Sequence, residues 1–455
     1  MQNAVLITAF FFAFLLFLSI KISTKIMQNL VIKPFKLLVT DRSITFDVVF
    51  FSILLILIPF VLITGPALPD IFLSLIALYF LVKSVLKKKW HYYQNPIVIG
   101  FLFFSIYGII RSLFSDMPLE SLTNEGSMFY FRYIFFAMGV WYLLDKNPYL
   151  SKCLLVISVI CILVVSLDAL YQYFMEINFF GNEKYNFARL TGMFGKEPII
   201  GRYITFLSLF TFTLIYQNIK KTKKTILLSV AFLVMCDVIV FLTGERAPFF
   251  YVCLFSVLII IFIPHYRFYR IGGFLLSITI ILGILSINPN AKTRMYDTIQ
   301  EVGETKIPYL PYNKGYEDHY ISALKLFVDR PLFGVGTNMY RFQCEKPQYT
   351  LNSNCNSHPH HFYLQALAEL GIPGFLFLAI FFLYLSLIGF KQLIFLLFSN
   401  KAKLMPFEFF LFPMVLFVYW WPLIPHMSLY NNWNNVLIML PLGFFLRNIY
   451  GYKKI

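Results

Sequence analysis

The sequence predicts an all-α polytopic integral membrane protein of about 12 or 13 transmembrane helices, with one large loop on the face away from the cytoplasm. Three observations predict it. Of 455 residues 59% are hydrophobic and only 13% are Asp, Glu, Lys or Arg, where a soluble domain carries roughly 25% charged residues. The apolar residues gather in runs of a length that crosses a bilayer, and helices are the default spans because they satisfy every backbone N–H and C=O internally. The stretches between runs alternate between basic and neutral or acidic.

The apolar runs fall near residues 4–20, 46–64, 71–86, 93–110, 127–144, 152–170, 199–218, 225–242, 248–263, 271–287, 374–390, 406–422 and 433–446. The first lacks a basic leader and a small-residue cleavage site, so it reads as a retained span rather than a signal peptide. Basic connections lie at 21–42, 83–89, 220–224, 267–270, 391–403 and 450–454, and neutral or acidic ones at 64–70, 116–125 and 288–360. Positively charged loops stay in the cytoplasm, which sets the orientation consistently from the second run onward. The N-terminus is then outside if the first run spans, and inside, with twelve spans, if that run is re-entrant or interfacial. The net charge of +16 is a topology signal, and no nucleic-acid partner is expected. The chain divides into an N-terminal transmembrane bundle with short arginine-bearing outer loops (1–287), the large outer loop (288–360), and an amphipathic helix with the C-terminal spans (361–455).

The outer loop reads as a small folded cap, rich in Gly, Pro, Asn and Tyr and with helix-like pieces such as HYISALKLFVDR. Cys344 and Cys355 lie in it, whereas Cys153, Cys161, Cys236 and Cys253 sit in or beside spans. An oxidising exterior permits a Cys344–Cys355 disulfide; two unrelated thiols are the competing reading.

Three polar constellations fall on the outer side. ARLTGMFGKEPIIGRY carries Arg189 and Arg202, with Gly192, Gly195 and Pro198 forming a tight connection able to bring backbone N–H groups near an anion. FLTGERAPFF is a very short connection with Glu245 and Arg246 at its tip. An arginine fork matches phosphate oxygens bidentately and stays charged in a low dielectric. The plainer alternative pairs Arg246 with Glu245 or lipid headgroups. The third stretch, SHPHHFYLQALAELGIPG, starts at Ser357. Pro359 fits the first turn of a short amphipathic helix from about 360 to 370, closed by Gly371 and broken at Pro373. His361, Gln365 and Glu369 follow at spacing four on one face, with His360 near Tyr363 on the next. Histidine takes and returns a proton near neutral pH. His358, His360 and His361 lack the i, i+4 pair of a helical metal site, so no metal is expected; interfacial histidines are the competing reading. DRPLFGVGTNMYRF has no Walker lysine and reads poorly as a nucleotide loop.

HPHHFYLQALAELGIPG resembles the signature of the bacterial O-antigen ligase and polymerase superfamily: a histidine, usually an asparagine, nine residues, a glycine, two more and another glycine. Here these are His360, His361 in place of asparagine, residues 362–370, Gly371 and Gly374. DRPLFGVGTNMY is similar to the family's P-x-x-G-x-G stretch, and TGER to its outer-loop arginine, with Glu245 where the family has serine. ARLTGMFGKEP is similar to R-x-x-G-x-F-x-x-P-N, with Ile199 in place of the asparagine. The resemblance covers about residues 165–390. It implies a metal-independent inverting glycosyltransferase, without cofactors, in the bacterial inner membrane and with its site facing the periplasm. The donor is an undecaprenyl pyrophosphate-linked glycan, and the acceptor is lipid A–core or, in a polymerase, another lipid-linked glycan. In that reading Arg189 and Arg246 hold the pyrophosphate and His360 orients or deprotonates the acceptor hydroxyl. His361, Gln365, Arg202, His358 and Tyr363 contact substrate, and the outer loop acts as a lid. The ligase is favoured because its signature matches. A polymerase, a pilin-type protein O-oligosaccharyltransferase and a lipid-linked glycan transporter are the alternatives. A transporter would carry polar groups near the bilayer midplane and inverted repeats; no repeat is seen.

Overall fold

Helix accounts for nearly all the regular structure. The computed structural model describes residues 32–186, 188–294, 296, 314–350, 355–399 and 403–452. The first apolar run, much of the outer loop and the end of the basic tail lie outside them. Among the described residues the only β pairing is two isolated bridges, Ile177 with Glu183 and Asn186 with Arg189. Among the described residues eight helices are long and apolar enough to cross a membrane: Phe46–Thr64, Ala67–Leu86, Pro96–Leu113, Ser127–Lys146, Leu150–Met175, Lys223–Leu242, Arg267–Ile287 and Phe362–Leu397. Arg246–Phe262 and Phe407–Tyr419 are apolar but shorter. Ile200–Asn218 is long enough, yet its Thr, Ser, Gln and Asn residues dilute its hydropathy. The chain is a multi-pass, all-α membrane protein.

Helix starts follow local chemistry. Asn95 accepts from the Ile97 N–H with Pro96 at the first helical position, where a missing N–H costs nothing. Thr222 and Thr225 close a reciprocal cap on Lys223–Leu242.

Two compact units form. The first joins the described residues up to Thr64 to Leu143–Asn288. Its centre is Ile200–Asn218, buried from Ile200 through Tyr216 except at the half-buried Arg202. Leu150–Met175, Lys223–Leu242 and Arg246–Phe262 pack around it. Lys223–Leu242 and Arg267–Ile287 are further tied by an ion pair, Arg270 with Asp237 at 2.7 Å, both almost fully buried, and Arg270 also contacts Ser256 of Arg246–Phe262.

The second unit joins Gly65–Tyr142 to the described residues after Pro289. Here the helix backbones approach closely. A Cβ on Gly443 would lie 2.6 Å from the Ala137 carbonyl oxygen, and one on Gly139 2.8 Å from Ile76. Small residues allow this spacing between membrane helices.

The histidine stretch departs from its expected helix. Helix Phe362–Leu397 starts two residues later than 360, with His361 as N-cap and His360 at φ +55°, outside the helix. It does not stop near residue 370. Gly371 leaves helical geometry (φ 66°, ψ −159°), and the chain then resumes a helix through Pro373 to Leu397. The first turns are buried rather than amphipathic: Phe362 to Ala366 and Ala368 to Gly371 are all covered.

Candidate functional site

In the first unit, helix Leu150–Met175 supplies the organisers of the arginine loop. Gln172 Oε1 accepts from the N–H groups of Thr191 and Gly192, at 2.9 and 2.8 Å. Asp168 Oδ1 accepts from Phe179 N–H at 2.9 Å. These anchors fix a turn whose far arm carries Arg189. Gly244 of the TGER connection, at φ +72°, lies directly beneath the Ala188 carbonyl, where no Cβ fits, and Leu190 N–H donates to Thr243 O at 3.3 Å. The glycine therefore lets the Arg189 loop and the Arg246 turn meet.

The Arg189 guanidinium donates to Pro198 O at 3.2 Å and lies over the Tyr185 ring. Arg246 is the first residue of its helix, after Glu245 as N-cap. Glu245 is only 7% exposed and its Oε1 accepts from Gly201 N–H at 2.5 Å. Burial pushes its carboxyl up to about 7, against the pull of Arg189 and Arg202. Arg189 and Arg202 thus both act on Glu245 through their charge, and Arg246 follows it in the chain.

In the second unit, a backbone crossing positions the histidines. The PLFGVG and ELGIPG segments lie against each other. Val335 N–H donates to Ala368 O (2.9 Å), Gly336 N–H to Glu369 O (2.8 Å) and Ile372 N–H to Pro331 O (3.0 Å). Gly334 and Gly371, both at φ +66°, sit where a Cβ would strike the partner backbone. Glu369, fully buried, accepts from Tyr340 N–H at 3.0 Å and from Gln365 Nε2 at 3.2 Å. From helix Pro96–Leu113, Arg111 donates to the carbonyls of Phe333 and Gly334 and Tyr107 to that of Leu370. Arg330 pairs with Asp116 at 2.9 Å, which holds Asp116 below the usual carboxylate range.

His358, His360, His361, Tyr363 and Gln365 are brought together there. His361 accepts from Leu364 N–H on Nδ1 and donates from Nε2 to Pro422 O at 2.8 Å. Both nitrogens are engaged, and burial holds the ring down at about 4, so it stays neutral at physiological pH. Gln365 accepts from Leu429 N–H and donates to Ser428; Tyr363 donates to Trp420 O at 2.7 Å. These three are scaffold contacts to residues 420–429. His360 is different. It is partly exposed, held in the left-handed region, and its Nε2 lies 3.0 Å from Asn356 Nδ2. The His358, Tyr316 and His319 rings surround it at 4.2, 4.9 and 5.6 Å. Backbone strain of this sort collects at functional positions. Among the described residues no three His, Cys, Asp or Glu side chains are placed to share a metal ion.

Cys344 and Cys355 are disulfide-bonded, with Cα atoms 5.5 Å apart. The bridge fixes Asn356, and through it His360, to the end of the short Tyr340–Gln343 helix. Cys344→Ser with Cys355→Ser should lower stability by about 2–3 kcal/mol, the loop-closure contribution of a short ring, read as a lower denaturation midpoint matched by reductant on the wild type.

Residues 228–379 match the family model described as O-antigen ligase. This match, over about a third of the chain, supports the resemblance to the O-antigen ligase and polymerase superfamily. The O-antigen ligase match takes in Glu245 and Arg246 of the first unit and the crossing, the disulfide and His360 of the second. Compared with characterised proteins, the chain gives no significant match. Sequence reasoning missed Gln172 and Asp168, which hold the arginine loop, and His319, Asn356 and Arg111, which lie around His360 and the backbone crossing. Only Asn356, four residues before His360 and next to a cysteine, left a local trace.

Proposed function

We propose that the protein is a ligase that moves a glycan from undecaprenyl pyrophosphate to lipid A–core on the periplasmic side of the inner membrane. The match of residues 228–379 to the O-antigen ligase family model supports the reaction class. The observation that carries the reading is the arginine set. Arg189 and Arg202 both act on the buried Glu245 carboxyl, and Arg246 follows it at the first position of the next helix. A diphosphate is a ligand that neighbouring guanidinium forks fit.

In the proposed step the acceptor hydroxyl oxygen attacks the anomeric carbon in a single displacement, inverting it. The bond from that carbon to the pyrophosphate oxygen breaks, and undecaprenyl pyrophosphate leaves with the electron pair. Arg189 and Arg246 offset the charge that grows on it. His360, partly exposed and held at a positive φ, accepts the hydroxyl proton. Arg202 and His358 complete the substrate contacts. His361, Gln365 and Tyr363 act by holding the segment that presents His360.

The test uses protein in lipid nanodiscs with an undecaprenyl pyrophosphate-linked glycan and lipid A–core. Arg246→Ala and Arg189→Ala should each slow transfer about 10²- to 10³-fold, as loss of a transition-state charge partner does; His360→Ala should slow it about 10²- to 10⁴-fold. Near-wild-type rates in all three would overturn the reading. Chain growth on a second lipid-linked unit, with no product on lipid A–core, would make the protein a polymerase.

A further inference from the structure

The geometry points to Glu245 as a proton-linked gate on the arginine set: binding of a diphosphate beside Arg189 and Arg202 loads a proton onto the Glu245 carboxyl. This rests on the donor assignment above.

Glu245 occupies a notch lined by backbone and hydroxyl groups. Its Oε1 is 2.5 Å from Gly201 N. A Cβ on Gly201 would sit 2.6 Å from Thr243 Oγ1 and 2.9 Å from Glu245 Oε1, so the start of helix Ile200–Asn218 is closed down on the carboxylate. The cations whose fields reach it come from separate elements, Arg189 from the loop and Arg202 from that helix: the loop is brought close by the Gly244–Ala188 contact, and Arg202 follows Gly201, whose N–H the carboxylate accepts. Arg246 is next in its own chain. Tyr251, on helix Arg246–Phe262, lies in the field of Arg202. Asp168, on helix Leu150–Met175, faces the Phe179 N–H instead.

Two anions then compete for the same guanidinium groups. A diphosphate esterified at both ends is doubly negative, and a carboxylate pressed against it without water is driven to its neutral form. In the free protein the carboxyl titrates at about 7, so both forms are populated near neutrality. The sign follows. Below about pH 7 Glu245 is already protonated and the ligand meets no repulsion. Above it the ligand must draw in a proton, and affinity falls about tenfold per pH unit until the higher titration point of the complex is reached.

The probe is farnesyl pyrophosphoryl-N-acetylglucosamine, whose diphosphate carries no titrating proton in this range, bound to the full chain in nanodiscs. The wild-type dissociation constant should be flat below about pH 7 and rise about tenfold per unit above it. Glu245→Gln keeps an oxygen for Gly201 N–H, and its curve should be flat throughout. At pH 8 it should bind about tenfold more tightly than wild type. Calorimetry in two buffers of different ionisation enthalpy should show wild-type proton uptake at pH 8 and none in Glu245→Gln. An equal slope in both proteins, or no uptake by the wild type, overturns the inference; the wild-type measurement decides alone if the variant does not fold. Wild-type affinity in Arg189→Ala and Arg246→Ala would instead sink the donor assignment itself.

Discussion

Asp237→Ala should destabilise the first unit by about 3–5 kcal/mol, the penalty of stranding one partner of a buried ion pair. Arg270 is 1% exposed. Its Nη2 reaches both Asp237 oxygens, at 2.9 and 2.7 Å, and also contacts the Ser256 hydroxyl; Ser277 donates to the same carboxylate at 2.8 Å. Two spanning helices meet at that carboxylate, and Arg270 joins the shorter Arg246–Phe262 to them through Ser256. Without it, a guanidinium that cannot lose its proton is left inside apolar packing. Arg270→Ala should do less damage, because a carboxyl in the same place can become neutral. Replacing both together, Asp237→Leu with Arg270→Met, should recover most of the loss. Unfolding in detergent by titrated SDS ranks the variants. Equal losses in the two single variants would mean that the pair contributes through shape rather than charge.

Gly371→Ala should be nearly as severe, at about 2–5 kcal/mol, from a positive φ combined with overpacking. Its backbone, at φ 66° and ψ −159°, lies where essentially only glycine is found. The added methyl would meet the Leu332 carbonyl at 2.5–2.6 Å. That is backbone against backbone, and no rotamer relieves it. The crossing would have to open, releasing the hydrogen bonds that seat residues 331–336 on residues 368–372. Gly389→Ala, in the same helix with open space around it, is the control and should be neutral or slightly stabilising. The pair separates the demands of the crossing from any general preference for glycine. Transfer activity should fall with stability in Gly371→Ala and stay unchanged in Gly389→Ala.

Much of this was legible in the sequence, for reasons that also mark where legibility ends. Apolar runs and basic connections reveal spans because bilayer thickness and charge act on every residue independently. Arg189, Arg246 and His360 stood out because charged groups are rare in such a chain. The start of the histidine helix was misplaced because Pro359 satisfies the pattern of a first turn, while His360 is turned into the left-handed region by neighbours distant in sequence. Glu369 looked like the polar face of an amphipathic helix. Its partner is the Tyr340 N–H, 29 residues away, and no local period encodes that contact. Likewise Asp168 and Gln172 sit in an ordinary apolar helix, and only the folded loop shows what they hold.

The residues that follow helix Phe407–Tyr419 grip the histidine segment mostly through main-chain atoms: the carbonyls of Trp420 and Pro422 and the N–H groups of His426 and Leu429. A grip of that sort reads the path of the chain and is indifferent to what hangs from it. Leu423, 42% exposed, is therefore open to randomisation without loosening His360. Denaturation midpoints across a library at that position should match the wild type to within about 0.5 kcal/mol.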